Sequence, residues 1–381
     1  MDRLHILDRL DAIPEAEWNR LHDGGNPFLA HRFLSGLEHT GCLREHWGWR
    51  PQHAALYRDD QLVAAAPAYL KHNSHGEFVF DHAWADAYAR NGLDYYPKWL
   101  IAIPYSPVPG PRLLARDDRA RAAICRSLQQ HCQDQGWSSL HINFLPEAET
   151  VACPSEWLAR RDIQFHWRNP VSETDPAWTC FEDFLASLTH KKRKNIRAER
   201  AQVARAGVSF ERLDGDRIGA AELAEMHDLY CQGFFEKGNS PALTLAFFQH
   251  LAETMADALV LILARLNGRI IAGALCLRGR DRLYGRYWGS RIELPGLHFE
   301  TCYYQGIEYC LEHGLHHFEP GAQGEHKLAR GFLPTCTHSR HWLAHPIFHH
   351  AIDTWCRQDR DAVDHYHRAA LLHSPFRESK P

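Results

Sequence analysis

The amino-acid sequence predicts a mixed α+β fold, α/β in the broad sense, built from two similar halves. In the second half, helical patterns flank a block of antiparallel strand patterns, and a short strand follows the last helix. The first half shows a shorter version of the same order, with helices, a hairpin, a long loop, a helix and a strand. The length of 381 residues suits two or three domains of about 150 residues each.

Short apolar runs and turn residues define the elements of the first half. Apolar runs on both sides of the turn at 58–61 predict a hairpin. Gly136 is the type of residue that ends a helix, and prolines fix the backbone of a loop that follows the hairpin. The predicted elements are helices within 1–50, two strands within 54–70, an ordered loop with a short strand at 78–111, a helix at 116–136, and strands at 139–144 and 157–167.

The second half carries clearer signals. Asn267-Gly268 lies between two apolar runs and strongly indicates a hairpin. Thr189 is a plausible N-cap, and Gly207 and Gly314 end helical patterns. The predicted helices are 190–207, 220–235, 244–255 and 297–313, and the predicted strands are 208–213, 258–266, 269–278, 282–290 and 316–319.

Composition excludes several functional classes. Lys plus Arg is 43 and Asp plus Glu is 47, so the chain lacks the strongly basic balance of a general nucleic-acid binder, and no DNA partner is expected. The apolar runs are far shorter than a membrane-spanning helix, and the first residues do not predict a secretory signal. Eleven cysteines without a Cys-x-x-Cys motif indicate reduced thiols. We therefore expect a cytoplasmic protein without integral membrane association.

A basic segment at 191–205 departs from this slightly acidic balance. It contains seven cations and one glutamate. On a helix, Arg193, Arg197 and Arg200 share one face, and guanidinium groups bind phosphates in a bidentate manner. This face is predicted to hold the phosphates of a donor, such as a tRNA backbone, a nucleotide or coenzyme A. The alternative is a helix whose charges only face water.

A glycine-rich segment at 318–332 follows the last predicted strand and combines acids, a base and cations. Such a turn can place a proton acceptor beside a reacting group. The alternative is a tight turn whose charges pair on the surface. The candidates for the proton-accepting role are Glu325 or Glu319, with His326 as the runner-up. The candidates for substrate binding are Gln323, Gly324, Lys327 and Arg330.

Two further segments could bind a ligand. The proline-rich stretch at 95–112 can hold aromatic and cationic groups rigidly, which makes Tyr96, Lys98 and Arg112 candidates for substrate binding. It could equally brace a long surface loop. The aromatic strand at 284–290 contains Arg286, a further candidate, although strand aromatics usually belong to the core.

Other motifs are missing from the sequence. There is no Gly-x-Ser-x-Gly elbow, no phosphate-binding P-loop and no Gly-x-Gly-x-x-Gly, so covalent catalysis, ATP and NAD are not indicated. Histidine pairs such as His341 with His345 lack a third ligand in a defined place, so no metal is expected.

Taken with these segments, the chain resembles the FemAB-like set of N-acyltransferases, often described as peptidoglycan biosynthesis proteins. The resemblance spans nearly the whole chain, and the 318–332 motif is its most specific part. The segments that carry it are Phe80-Asp81, 84–88, 95–98, 104–114, the basic segment, 297–300, 303–306 and 318–334.

The resemblance implies two tandem acetyltransferase-like (GNAT) domains and transfer of an acyl or aminoacyl group to an amine. It gives an N-terminal domain at 1–170, a C-terminal domain at 180–345 and a helical extension at 346–381. GNAT enzymes bind coenzyme A through a Gln/Arg-x-x-Gly-x-Gly/Ala loop, which the residues before 297 lack. This departure weakens the case for an acyl-CoA donor and favours an aminoacyl-tRNA or another donor, and it indicates no particular cofactor.

The expected function is therefore an N-acyltransferase, with a small molecule or a peptidoglycan precursor as the acceptor and tRNA as a possible partner. Lys327, Arg330 and Arg286 would hold anionic groups. Two alternatives stay open: an acyl-CoA-dependent N-acyltransferase acting on a small metabolite, and a non-catalytic binding scaffold with the same fold.

Overall fold

The computed structural model describes residues 2–172, 175–322 and 324–377, in two compact units. Unit 1 comprises Met1–Ile163 and Cys336–His367, and unit 2 comprises Gln164–Thr335 and Arg368–Pro381. Each unit contains both strands and helices.

The chain up to residue 168 contains nine strands and four α-helices among the residues described there. They are β1 (Asp2–Leu7), α1 (Glu15–Asn19), α2 (His31–His39), β2 (Trp49–Pro51), β3 (His53–Arg58), β4 (Gln61–Ala66), β5 (Ala68–Lys71), α3 (His82–Arg90), β6 (Lys98–Ile101), β7 (Leu114–Ala115), α4 (Asp118–Asp134), β8 (Ser139–Leu145) and β9 (Leu158–Arg168).

The remaining elements follow in the same way. They are α5 (Phe181–Ser187), α6 (His190–Arg205), β10 (Ser209–Asp214), α7 (Ala220–Phe235), α8 (Leu245–Thr254), β11 (Leu259–Leu266), β12 (Arg269–Arg278), β13 (Arg282–Ser290), α9 (Leu297–Phe299), a π-helical segment (Glu300–Tyr304), α10 (Gln305–Glu312), β14 (His317–Glu319), a 3-10 turn (Glu325–Arg330), β15 (Leu333–Leu343) and α11 (Pro346–Leu371).

Unit 1 contains two sheets. One has the strand order β1-β3-β4-β7, and the other places the unit 1 part of β15 beside β8, followed by β6, β5 and β2. Helix α4 packs Ile124 and Leu128 against Ala64 and Ile142 in the main core. The β3–β4 hairpin forms where the sequence predicts it, with Asp59 and Asp60 in the left-handed conformation that a tight hairpin turn requires.

Unit 2 contains a sheet with the order β10-β11-β12-β13-β14, next to the last residues of β9. Because side chains alternate along a strand, Gly273 of β12 faces α7, while its neighbour Ala272 packs with Val203 of α6 and Leu297 of α9. A Cβ added to Gly289 would lie 2.0 Å from the backbone oxygen of Leu229, so α7 lies directly on β13. Helices therefore cover both faces of this sheet.

The predicted fold class, mixed α/β, is confirmed, and two local predictions were wrong. Asp2–Leu7 is a strand that pairs with β3, although a helical pattern was predicted there. His82–Arg90 is a helix where a loop was expected. Both errors have one physical cause, since partners distant in sequence decide whether a short amphipathic segment becomes strand, helix or loop. The predicted helix at 297–313 is present to Glu312 and contains the π-helical segment.

Candidate functional site

In unit 2, two parallel strands separate next to the glycine-rich segment. The pairing of β13 with β14 ends at Tyr284 and Glu319. Beyond this point β13 continues to Ser290 with β12 as its partner, while β14 ends and the backbone turns at Pro320-Gly321. A β-bulge at Arg286 interrupts the register of β13. Bulges of this kind often redirect side chains beside active sites.

Lys327 lies at the end of this strand pairing. Its side chain is 2% exposed, and its ammonium group donates a hydrogen bond of 2.6 Å to the carbonyl oxygen of Gly321. Among the described residues, no carboxylate lies within ion-pair distance of this ammonium group. Burial lowers the pKa of Lys327 to about 8. Lys327 is therefore a buried cation without a carboxylate partner.

His326 lies next to Lys327 in sequence but is exposed to solvent. Its Nε2 shares a hydrogen bond of 2.8 Å with the hydroxyl group of Tyr303, in the π-helical segment. Partial burial, followed by the nearby charges of Arg330 and Lys327, lowers the pKa of His326. Burial raises the pKa of Tyr303, so its hydroxyl keeps its proton. At neutral pH the pair is thus a neutral imidazole and a neutral phenol.

Aromatic rings line this part of unit 2. The ring of His298 makes edge contacts with Trp288 and Tyr303, and Phe299 stacks on Tyr303. Burial lowers the pKa of His298 to about 4, so this ring is also neutral. These rings therefore bring apolar surface and a few polar groups together, a combination that ligand sites also show.

Arg330 connects the 3-10 turn to the basic helix α6. Its guanidinium group forms an ion pair with Glu199 and lies 3.4 Å from the ring centroid of Phe299. Tyr304 donates a further hydrogen bond to Glu199. The two segments singled out in the sequence, 191–205 and 318–332, are therefore in contact within unit 2.

The two acidic candidates differ in environment. Glu319 is buried and forms an ion pair with Arg282. Glu325 is exposed at the start of the 3-10 turn. Gly324 has a φ of 119°, a conformation that favours glycine. Gln323, a predicted substrate-binding residue, lies outside the described residues.

The three arginines of α6 also differ. Arg193 is half-buried, and Arg197 is exposed and paired with Glu182. Arg200 forms ion pairs with Glu300 and Glu308, so its guanidinium group connects α6 to the segment that contains α10. The exposed cations of this helix are concentrated in its first two turns.

Tyr96, Lys98 and Arg112 lie in unit 1. Lys98 is fully buried, and its ammonium group donates hydrogen bonds to Ser74 and to the carboxylates of Glu77 and Asp81. The hydroxyl of Tyr96 lies 2.8 Å from that of Ser74.

Arg112 is also fully buried. Its guanidinium group donates to the backbone carbonyl oxygens of residues 108, 110 and 111, and so braces the proline-rich loop from within.

Tyr303 and Glu199 were not predicted as site residues, although both contact residues of the 3-10 turn. Tyr303 belongs to a segment that carries the family resemblance, and a π-helical turn cannot be read from its residues. Glu199 is the one acid in the basic segment 191–205, and this exception could have indicated that it pairs with a particular cation. A residue that reverses the charge of its surroundings often has a specific partner.

No group of three or more His, Cys, Asp or Glu side chains in the described part of the chain is arranged to hold a metal ion. None of the described helices combines the length and apolar character that a membrane span needs.

Comparison with known proteins identifies one family. A family model named FemAB_like and described as peptidoglycan biosynthesis/recognition matches residues 9–378. No curated protein matches the sequence. The family resemblance predicted from the sequence is therefore confirmed.

Several solved structures are similar in fold. FemX has 12% identity and a TM-score of 0.52, over 90% of this chain and 98% of its own. A conserved protein of unknown function from Bacteroides thetaiotaomicron VPI-5482 has 12% identity and a TM-score of 0.52, over 89% and 99% of the two chains. L-PGS from Bacillus licheniformis has 10% identity and a TM-score of 0.50, over 86% and 94%. At these identities the similarity shows the fold alone.

Proposed function

The chain belongs to the FemAB-like family, and on that premise we propose that it is a transferase that joins an acyl or aminoacyl group to an amine. The reaction takes place in unit 2, where β13 and β14 separate. The observation that carries this proposal is Lys327, a buried ammonium group with no carboxylate partner among the described residues. Perturbed, buried ionisable groups of this kind concentrate at functional sites.

The environment of Lys327 favours an anionic partner. Removing a charge from water is costly unless an opposite charge compensates it. Attack of an amine on an ester or thioester carbonyl group places a negative charge on the carbonyl oxygen, and a buried cation stabilises that charge strongly. The ammonium group of Lys327 holds this oxyanion, and Arg330, through its ion pair with Glu199, holds the 3-10 turn against α6.

His326 accepts the proton of the amine. A general base must be unprotonated at the working pH and must reach its substrate. The imidazole of His326 meets both conditions, because its pKa is lowered and its side chain is exposed. The hydrogen bond between Nε2 and the Tyr303 hydroxyl fixes the position of the ring; in the tautomer whose Nε2–H donates to the hydroxyl oxygen, the lone pair of Nδ1 accepts the proton. Glu319 is a poorer candidate, since its carboxylate is paired with Arg282.

The reaction then proceeds in three steps. The amine nitrogen attacks the carbonyl carbon and forms the new C–N bond, and the carbonyl oxygen becomes an oxyanion beside Lys327. The amine proton moves to His326. Collapse of the oxyanion breaks the bond to the donor oxygen or sulfur, and the protonated His326 supplies a proton to this leaving group.

The donor is an aminoacyl-tRNA and the acceptor is a peptidoglycan precursor. Helix α6 lies beside the site, because Glu199 of this helix contacts Arg330. The exposed cations in the first turns of α6 can therefore bind phosphate groups, which supports a polyanionic donor. The description of the family, peptidoglycan biosynthesis/recognition, supports this acceptor. A free acyl-CoA donor is less favoured, because the residues before α9 lack the GNAT phosphate-binding loop pattern.

A transfer assay with matched variants tests the proposal. The purified protein is given aminoacyl-tRNA or acyl-CoA together with a panel of amine acceptors that includes peptidoglycan precursors, and product is measured by mass spectrometry. Lys327→Met should lower kcat/KM by roughly 10²–10³, the range for losing one oxyanion donor. Arg269→Met, which removes an exposed cation of the same unit, should leave the rate unchanged.

Two results would contradict the proposal. A Lys327→Met protein that is folded and transfers at the native rate would remove Lys327 from the site. Failure of every donor to react with the native protein would favour the non-catalytic binding scaffold.

A further inference from the structure

A second group of buried donors lies in unit 1, on one face of the β2–β5 pair. Trp49 and Lys71 are directly opposite each other in the ladder, and Tyr69 precedes Lys71 by two residues on the same face. The ammonium nitrogen of Lys71 lies 3.8 Å from the ring centroid of Trp49. The rings of Trp49 and Tyr69 make an edge contact with centroids 5.3 Å apart.

Within the described part of the chain, two of these three donors have no acceptor, and Lys71 has one. Trp49 is 1% exposed and Tyr69 is 0% exposed, yet the indole Nε1 and the phenolic hydroxyl have no hydrogen-bond partner among the described residues. Lys71 donates to the carbonyl oxygen of His75, at 3.1 Å. Buried polar groups are almost always hydrogen-bonded, so three incompletely satisfied donors on one face need an explanation.

The neighbouring lysine shows that the fold can satisfy a buried ammonium group. Lys98 has three acceptors from the loop that follows β5, whereas the nearest carboxylate oxygen to Lys71 is Oε1 of Glu77, at 3.9 Å. That oxygen has no hydrogen bond of its own within the described chain. The loop carboxylates therefore satisfy Lys98 and leave Lys71 incompletely paired.

We propose that Trp49, Tyr69 and Lys71 form a binding site for a small oxyanion, a carboxylate or a phosphate group. All three groups present hydrogens, and such an anion presents acceptor oxygens only. The site lies within unit 1 and does not depend on the function proposed for unit 2.

The electrostatics of the loop agree with this assignment. Burial lowers the pKa of Lys71 to about 7 and raises the pKa of Glu77 to about 7. A bound oxyanion favours the charged form of Lys71, because an opposite charge stabilises an ammonium group. It also favours the protonated form of Glu77, whose hydroxyl then becomes a further donor.

The covering loop, residues 72–81, supplies the route of entry. It has no strand or helix before residue 82, and Gly76 lies over the indole of Trp49, where a Cβ would be 3.4 Å from Nε1. Phe78 has a φ of 61°, in the left-handed region that non-glycine residues rarely adopt. Lys98 holds Ser74 and Glu77 on the two sides of Gly76. Movement of the short segment between them uncovers the donors.

Isothermal titration of the full chain tests this site. Inorganic phosphate and acetate are the two probes, with chloride at equal ionic strength as the reference. Phosphate binding above acetate assigns a phosphate group, and the reverse assigns a carboxylate. The native protein should bind one probe at millimolar concentration, and Lys71→Met should weaken binding at least about tenfold. Lys237→Met, at an exposed lysine outside unit 1, should bind as the native protein does.

Two more variants keep the test decisive if Lys71→Met does not fold. Trp49→Phe keeps a ring and removes the Nε1 donor, so it should weaken binding. Glu77→Gln removes the competing negative charge and should tighten binding several-fold. Equal binding by the native, Lys71→Met and Trp49→Phe proteins overturns the proposal, and so does no binding by the native and Glu77→Gln proteins.

Discussion

Lys98 in unit 1 and Lys327 in unit 2 are buried to nearly the same extent, at 0% and 2% exposure, but have opposite surroundings. Lys98 contacts two carboxylates and a hydroxyl, and its pKa is raised because their attraction exceeds the cost of burial. Lys327 contacts one backbone carbonyl, and burial lowers its pKa.

This difference separates structural lysines from candidate functional ones. A buried ammonium group that the protein itself compensates holds a loop in place, as Lys98 holds residues 74–81. An uncompensated one is available to a charge that arrives with a ligand or develops during a reaction. Burial alone does not distinguish these two kinds of lysine, whereas the groups that contact the ammonium nitrogen do.

The largest expected effect is on stability, at Lys98. Lys98→Met removes the cation that donates hydrogen bonds to two buried carboxylates, Glu77 and Asp81, which should lower the free energy of unfolding by about 3–5 kcal/mol. Lys327→Met removes an unpaired buried charge and should leave stability unchanged or raise it. Chemical denaturation of both variants measures the difference. Equal losses in the two would remove the contrast between the lysines.

The second-largest expected effect is on the catalytic rate, when the proton acceptor His326 is replaced. His326→Gln should lower kcat by roughly 10²–10⁴, the range for general acid–base catalysis, with the fold intact. Glu325→Gln, one residue away, serves as the comparison and should cost less than about tenfold. Steady-state kinetics of the two proteins decide between the candidates. If the glutamate variant shows the larger loss, Glu325 is the acceptor instead.

The pH dependence of kcat/KM should show the charge states of both groups. Activity should fall below the ordinary histidine pKa of 6.5, because His326 must be neutral, and again above about 8, because Lys327 must be charged. Lys327→Arg keeps its charge at high pH and should abolish only the alkaline fall. An alkaline fall that persists in this variant would show that the charge of Lys327 does not cause it.

The sequence predicts the contents of the site better than its arrangement. The 318–332 segment is recognisable because glycines and opposite charges concentrate there, and the Asn267-Gly268 hairpin is a local signal. The hydrogen bond of Tyr303 to His326 depends on a π-helical turn, and the pairing of β15 with β8 joins residues about 200 apart. For the same reason the sequence did not reveal the structural role of Lys98. Its acceptors belong to the 72–81 loop, and the residues next to Lys98 in sequence give no sign of these contacts.

The contrast between the two lysines can be measured directly by NMR titration of the ε-amino groups. The chain has eight lysines, and the Lys98→Met and Lys327→Met variants assign the two signals in protein carrying isotope-labelled lysine. The structure predicts that Lys327 titrates near pH 8 and moves upward when an anionic donor analogue binds, while Lys98 stays charged above pH 10.5. A Lys327 that titrates at the ordinary value of 10.5 and does not respond to the analogue would contradict its assignment as the uncompensated cation of the site.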